Sequence, residues 1–155
     1  MSEKIYTYYM LTPVDYLEIV TSDDCLLKCG FASEKKDDGK LLGYIPEVVS
    51  QLEEYFSGKR KIFELNTFCA GTVFQKQVWN ELTTIPYGTT VTYKYIAEKI
   101  NNPKAVRAVG GANHCNPISI IIPCHRVVGS DGSLTGFGGG LDKKKWLLEH
   151  EVTHK

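Results

Sequence analysis

Thr92-Tyr93-Lys94-Tyr95-Ile96-Ala97-Glu98-Lys99-Ile100-Asn101-Asn102-Pro103-Lys104-Ala105-Val106-Arg107-Ala108-Val109-Gly110-Gly111-Ala112 is the stretch that decides the fold. The Thr92 hydroxyl is placed to accept a first-turn N–H that has no partner inside a helix, which predicts a helix over 93–100. Asn102 is placed to cap the next helix, with Pro103 at the first helical position, where its missing N–H costs little. Two short helices joined by Asn101-Asn102-Pro103 make a helix-turn-helix. Many helical pairs never touch DNA, so the pattern alone assigns no partner.

The second helix of the pair is unusual. Ala105, Ala108 and Ala112 fall on one face, and Arg107 is the one long side chain projecting from it. Gly110 and Gly111 each cost a helix about 1 kcal/mol relative to Ala. A helix kept for core packing would gain from larger side chains. Two readings stay open: close packing on another helix with Arg107 as a surface charge, or close approach to some other surface.

Upstream, Thr72 can cap a helix carrying Phe74, Val78, Trp79 and Leu82, closed by the turn Ile85-Pro86-Tyr87-Gly88. The texture before residue 66 is different. Tyr6–Met10, Leu17–Thr21 and Cys25–Cys29 are β-rich. From Pro46 a helical pattern sets Val48, Leu52, Tyr55 and Phe56 on one face, with Gly58 placed to end it. The expected organisation is a small α/β domain over residues 1–65 and a mainly helical domain over 66–155. Cys25 and Cys29 have no second Cys or His pair nearby in sequence, so they read as buried or idle thiols rather than metal ligands.

The chain has 155 residues, with 43% hydrophobic and 23% charged residues, enough apolar material for a core and no case for disorder. No apolar run reaches the roughly 18 residues of a membrane span, and the start lacks a signal peptide's pattern. Five cysteines, an odd count without framework spacing, suit a reduced protein, and the expectation is cytoplasmic. Net charge is zero but uneven: residues 1–65 hold 8 basic and 12 acidic side chains, residues 66–155 hold 10 and 6. A mildly positive half can face an anion, though the excess is too small for a heavy non-specific DNA binder.

The chemistry is expected after Ile118-Ser119-Ile120-Ile121-Ile122, a strand-like run ended by Pro123. A cysteine at the end of a rigid strand, Cys124, can be held in a pocket without an ordering cost. A free thiol has a pKa of about 8.5, so a reactive one needs a base or a positive field. His125 is adjacent, but consecutive side chains diverge, so a bridging water would have to join them. An acid must orient the imidazole, and Glu149 and Glu151 are the candidates. On these residues alone, a structural cysteine is the favoured reading.

Ile122-Pro123-Cys124-His125-Arg126-Val127 resembles the active-site motif of the O6-alkylguanine-DNA alkyltransferases, also called methylated-DNA–protein-cysteine methyltransferases. Asn102 to Gly110 and Cys115-Asn116-Pro117 upstream are similar to that family too. So are Leu134-Thr135-Gly136-Phe137-Gly138-Gly139-Gly140-Leu141 and Trp146-Leu147-Leu148-Glu149-His150-Glu151 downstream. The match runs over roughly residues 71–151, and several blocks agree in order and spacing.

The resemblance implies an RNase H-like N-terminal α/β domain followed by a winged helix-turn-helix domain. It implies a DNA-repair transferase that moves an alkyl group from O6-alkylguanine, or O4-alkylthymine, to Cys124 in one irreversible step. By the same resemblance His125 activates the thiol through a water, Glu151 orients His125, and Asn116 braces the turn before the acceptor. Tyr93 protonates the leaving guanine and helps rotate the phosphate. Arg107 fills the gap left by the flipped base. Ala105, Ala108 and Ala112 form the face that enters the minor groove of double-stranded DNA, and Val127, Phe137 and Gly138 line the substrate pocket. No cofactor and no metal are implied, all four histidines lying at 114 or later. A monomer is expected.

Two other classes compete. A non-catalytic lesion sensor would lack the acceptor, which Cys124 supplies here. A cysteine hydrolase would turn over an acyl substrate and leaves the small-faced helix unexplained.

Overall fold

The computed structural model describes residues 4–32, 34–36, 39–134 and 140–155. Two compact units divide the chain, Met1–Cys69 and Ala70–Lys155.

In the first unit, three strands form an antiparallel meander in the order β1 (Tyr6–Leu11), β2 (Tyr16–Thr21), β3 (Leu26–Ala32). Alternation sets the inner face: Leu17 and Ile19 on β2 are fully buried, two residues apart as the pleat requires. Helix α1 (Ile45–Phe56) has Pro46 in its first turn and buries Val48, Leu52 and Tyr55, spaced at one helical face. That amphipathic stripe is the reason the segment is helical.

The second unit is mainly helical. Helix α2 (Val73–Leu82) starts at a capping box, Thr72 Oγ1 accepting from Gln75 N–H while the Gln75 side chain accepts from Thr72 N–H. It buries Val78, Trp79 and Leu82. Strand β4 (Val91–Thr92) leads directly into α3 (Tyr93–Lys99), where Thr92 Oγ1 accepts from Tyr95 N–H at 3.0 Å. Helix α4 (Val106–His114) follows, then β5 (Val127–Val128), which pairs in parallel with β4, and finally α5 (Leu141–Thr153).

Two expectations are corrected. Helix α4 begins at Val106, not Pro103: Ala105 N–H bonds to Asn102 O, so residues 102–105 close a turn first. The run Ile118–Ile122 is not a strand. Ile118, Ile120 and Ile122 are buried at alternate positions, which imitates a strand's period, yet the backbone is coiled. Its polar groups are met locally, by Ile121 N–H to Ser119 O and Ile122 N–H to Ile118 O. Ile120 takes φ 72°, a conformation that is costly for a β-branched residue.

Candidate functional site

Cys124 therefore does not end a strand. It opens a one-turn 3-10 helix, Cys124–Arg126, that runs into β5. Asn116 builds the turn ahead of it, donating Nδ2–H to Ile122 O at 2.8 Å and accepting from Ile118 N–H at 3.0 Å. Asn113, on α4, donates to Cys124 O at 3.3 Å. The Cys124 turn is thus tied to α4 by the Asn113 amide and braced by that of Asn116.

Burial pushes the Cys124 thiol upward, while hydrogen bonding to Asn116, the Lys144 charge and hydrogen bonding to Ser119 pull it down. The net direction is up, so a thiolate here needs help to form.

His125 is fully buried, with Nε2 2.6 Å from Glu151 Oε2. Glu151 collects four donors, the others being Arg126 Nε at 2.8 Å, an Arg126 terminal nitrogen at 3.0 Å and Gly88 N–H at 3.1 Å. Burial alone would raise its carboxyl, but His125 and Arg126 hold it far below the usual carboxylate range. An ionised carboxylate only accepts, so the His125 proton sits on Nε2 and Nδ1 carries the lone pair. Nδ1 is buried and has no hydrogen-bond partner among the described residues. Burial also pulls the His125 pKa down, against the raising effect of Glu151, which leaves a neutral imidazole at pH 7.

Gly88 owes its place to φ 75°, which swings its N–H toward Glu151 in a turn that side chains resist. Arg126 also donates to Ile85 O at 2.7 Å and lies 5.6 Å from the Tyr87 ring centroid, so the 85–88 turn and α5 meet on one guanidinium. Glu149 is exposed and plays no part in this cluster.

The β4–β5 pairing sets Thr92 opposite Val128, which brings half-buried Tyr93 at the start of α3 alongside the strand leaving the Cys124 turn. Lys144 lies between them. Its Nζ donates to Val127 O at 2.5 Å and sits 5.8 Å over the Tyr93 ring. Val127 is fully buried, backbone and side chain alike, and its carbonyl already accepts from Lys144. Phe137 and Gly138 lie outside the described residues.

On α4, Arg107, Ala108 and Gly111 are exposed, and Ala105 is half-buried. Ala112 departs from the expected face. It is only 4% exposed, and its carbonyl accepts the Trp79 indole N–H at 2.8 Å, so it belongs to the packing against α2. The glycines point the other way. A Cβ built on Gly110 or Gly111 would meet nothing within 4 Å, so packing within the chain does not account for them.

Comparison with known proteins places these features in context. Residues 73–153 match the model of the 6-O-methylguanine DNA methyltransferase DNA-binding domain, and residues 4–68 match the ribonuclease-like domain of the same family. The chain belongs to the 6-O-methylguanine DNA methyltransferase family. A methylated-DNA–protein-cysteine methyltransferase of Methanosarcina barkeri is 58% identical over 108 residues, 70% of this chain and 68% of that one. A Haemophilus influenzae protein of the same name is 44% identical over 161 residues, 97% of this chain and 88% of that one. A crystal structure of a Mycobacterium tuberculosis relative in complex with DNA superposes with a TM-score of 0.88 at 39% identity, covering 96% of this chain and 93% of that one.

Within the methyltransferase's second domain, sequence reasoning passed over Arg126, Asn113, Gly88 and Lys144. A signal existed for Lys144. It stands with Leu147 and Glu151 at i, i+3 and i+7 on α5, so two charged residues occupy the inward face of a helix, and all three are fully buried.

Proposed function

We propose that this protein repairs DNA by transferring an alkyl group from O6-alkylguanine, and from O4-alkylthymine, to Cys124 in a single irreversible turnover. The base reacts flipped out of the duplex, at a cost of a few kcal/mol that is lower for a damaged pair. Arg107, exposed on α4, fills the gap it leaves and offsets part of that cost. Ala108 and Gly111 let the helix backbone come close to the minor groove.

The observation that carries the reading is the buried His125–Glu151 pair, whose histidine directly follows Cys124 in the chain. With Nε2 committed to Glu151, Nδ1 is the nitrogen left to take the thiol proton, through a water. The sulfur then forms its bond to the alkyl carbon as the carbon–oxygen bond breaks. The electron pair stays on the guanine, which takes up a proton at N3 donated by Tyr93. The proton held on His125 then returns through solvent to the Tyr93 oxygen, so the net change moves one hydrogen from the thiol to the base and the alkyl group from the base to sulfur. The thioether has no route back, so each chain acts once.

Asn116 supports the acceptor by fixing the turn, and its amide also eases ionisation of the thiol. All five cysteines are free thiols, which fits work in the reducing cytoplasm. Among the described residues no helix is long and apolar enough to cross a membrane. The test is intact-protein mass after mixing with a methylated duplex. One added methyl per chain, absent in Cys124→Ser, is the expected result. Multiple turnover, or a methyl group on any other residue, overturns the proposal.

A further inference from the structure

Asn113 carries a buried polar atom that the fold leaves unmatched. It lies on α4, only 2% exposed, and one Nδ2 hydrogen goes to Cys124 O at 3.3 Å. Its Oδ1 has no hydrogen-bond partner among the described residues. The bond to Cys124 fixes which way the amide points, because the flipped amide would set two oxygens face to face. An acceptor and a second Nδ2 hydrogen are thus left over beside the backbone of the acceptor cysteine. We propose that Asn113 is a specificity-determining residue that reads ring position 2 of the flipped lesion, its Oδ1 accepting from the 2-amino group of O6-alkylguanine and its Nδ2 donating to O2 of O4-alkylthymine. The inference rests on the reading of Cys124 as the alkyl acceptor.

The chemistry of the two lesions calls for an amide. Alkylation at O6 removes the N1 hydrogen of guanine, and alkylation at O4 removes the N3 hydrogen of thymine. When the two alkylated oxygens are superposed at the sulfur, these ring nitrogens coincide, and so do the substituents at position 2. That substituent is a donor in guanine and an acceptor in thymine. A side chain that serves both must accept and donate, as an amide does. The Cys124 carbonyl is not left for this part, since it already accepts from Val127 N–H as well as from Asn113. Packing alone does not account for the residue either. Leucine would fill nearly the same space and leave no acceptor buried and unpaired, which is costly. Cys124 is itself only 4% exposed, and the amide is bonded to its carbonyl, so an opening that admits a base to the sulfur brings it to Asn113. No covalent bond to Asn113 forms or breaks. Its contribution is to hold a base that matches it while the sulfur attacks, and a site built to hydrogen-bond a substrate group rejects the analogue lacking it.

The test uses the full chain and three duplexes, carrying O6-methylguanine, O6-methylhypoxanthine, which lacks only the 2-amino group, or O4-methylthymine. Single-turnover methyl transfer is timed on each. The natural chain should take methyl from the guanine lesion about tenfold faster than from the hypoxanthine lesion, as one hydrogen bond to a buried acceptor requires. In Asn113→Leu that ratio should fall to within about twofold of unity, and O4-methylthymine should slow about tenfold relative to the hypoxanthine lesion. The hypoxanthine duplex makes neither contact, so it divides out whatever the substitution does to the Cys124 turn. Equal slowing on all three duplexes, with the ratios unchanged, marks a merely structural role or a water on Oδ1 and overturns the proposal. A thymine-to-hypoxanthine ratio that does not move overturns the donor half of it. A natural chain equally fast on the guanine and hypoxanthine lesions overturns it with no substitution made, so the outcome does not depend on the variant folding. A natural chain that takes no methyl group from the guanine duplex sinks the repair reading itself. A natural chain that takes it, with the same preferences in Asn113→Leu, sinks only the role of Asn113.

Discussion

Glu151 and His125, 26 residues apart in sequence, meet at 2.6 Å with neither side chain more than 1% exposed. The pairing is the hub of the second unit. Glu151 sits on the inward face of α5, His125 on the one-turn helix after Pro123, and both depend on Arg126 and Gly88 to keep the carboxylate ionised. A buried carboxylate is affordable only when its lone pairs are met, and here four donors meet them. The gain is a fixed imidazole tautomer, with the proton on Nε2 and the lone pair on Nδ1.

Glu151→Gln separates charge from shape. The amide can offer an N–H to His125 Nε2, which would move the imidazole proton to Nδ1 and remove the base. The methyl-transfer rate constant is expected to fall on the order of 100- to 10,000-fold, as in other sites where a histidine takes the wrong tautomer. Stability should fall by about 3 kcal/mol, because Arg126 loses its buried counter-charge. Single-turnover kinetics and denaturant unfolding read the two effects. A rate within twofold of the natural chain would show that Glu151 does not govern the tautomer.

Arg126→Met strikes the same hub from the other side. His125 keeps its carboxylate partner, so the tautomer survives, whereas Glu151 loses both of its hydrogen bonds from Arg126. Stability should drop by about 3 kcal/mol while the transfer rate falls much less than in Glu151→Gln. Comparing the two variants in the same unfolding and transfer assays checks this. An Arg126→Met chain as slow as Glu151→Gln would contradict it.

The acid response follows from the directions of the two shifts. His125 has a folded pKa below its ordinary 6.5, so the unfolded chain binds its proton first and stability falls as pH drops from about 6.5 through the folded value. Glu151 is held below its ordinary 4.5, so its contribution is intact above that pH and is lost as pH falls further. Unfolding free energy measured against pH should therefore decline in two windows, the second smaller in Glu151→Gln because Glu18 and Asp131, also held low, still contribute to it. The transfer rate should also persist to more acid pH than an ordinary histidine allows. A kinetic midpoint above 6.5 would mean the imidazole is not buried as described.

The parts of this fold legible in the sequence are those written in local chemistry. Thr72 and Thr92 cap helices because a hydroxyl next to unpaired N–H groups does so wherever the chain permits, and the stripe of Val48, Leu52 and Tyr55 can face only a core. The Ile118–Ile122 run misled because alternate burial is shared by strands and by coils whose backbone groups are met from elsewhere, here partly by Asn116. The family motif marked Cys124, His125 and Glu151, but not how they are held. Arg126 and Lys144 look like surface charges in sequence, since their partners, Glu151 and the Val127 carbonyl, are joined to them only by the fold of α5. Ala112 was misplaced for a similar reason. It stands one turn after Ala108 in α4, as the spacing requires, but the packing of Trp79 covers it, and that is a tertiary contact.

The outer face of α4 gives a last test, because fold and function come apart there. Ala108 is exposed, so Ala108→Leu should leave stability within about 0.5 kcal/mol of the natural chain. Gly111→Ala should raise it by up to about 1 kcal/mol, since a helical glycine is replaced and the new methyl meets nothing within 4 Å. Both side chains nevertheless fill the space through which the helix backbone would approach the minor groove. Leucine fills more of it, so duplex affinity should fall with Ala108→Leu and less with Gly111→Ala. Carbamidomethylation of Cys124 should stay unchanged in both, as Cys124 is buried and its thiol bonds to Asn116, away from the exposed Ala108 and Gly111. Duplex affinity equal to that of the natural chain in Ala108→Leu would place the DNA on another surface, and the two helical glycines would then need a different explanation.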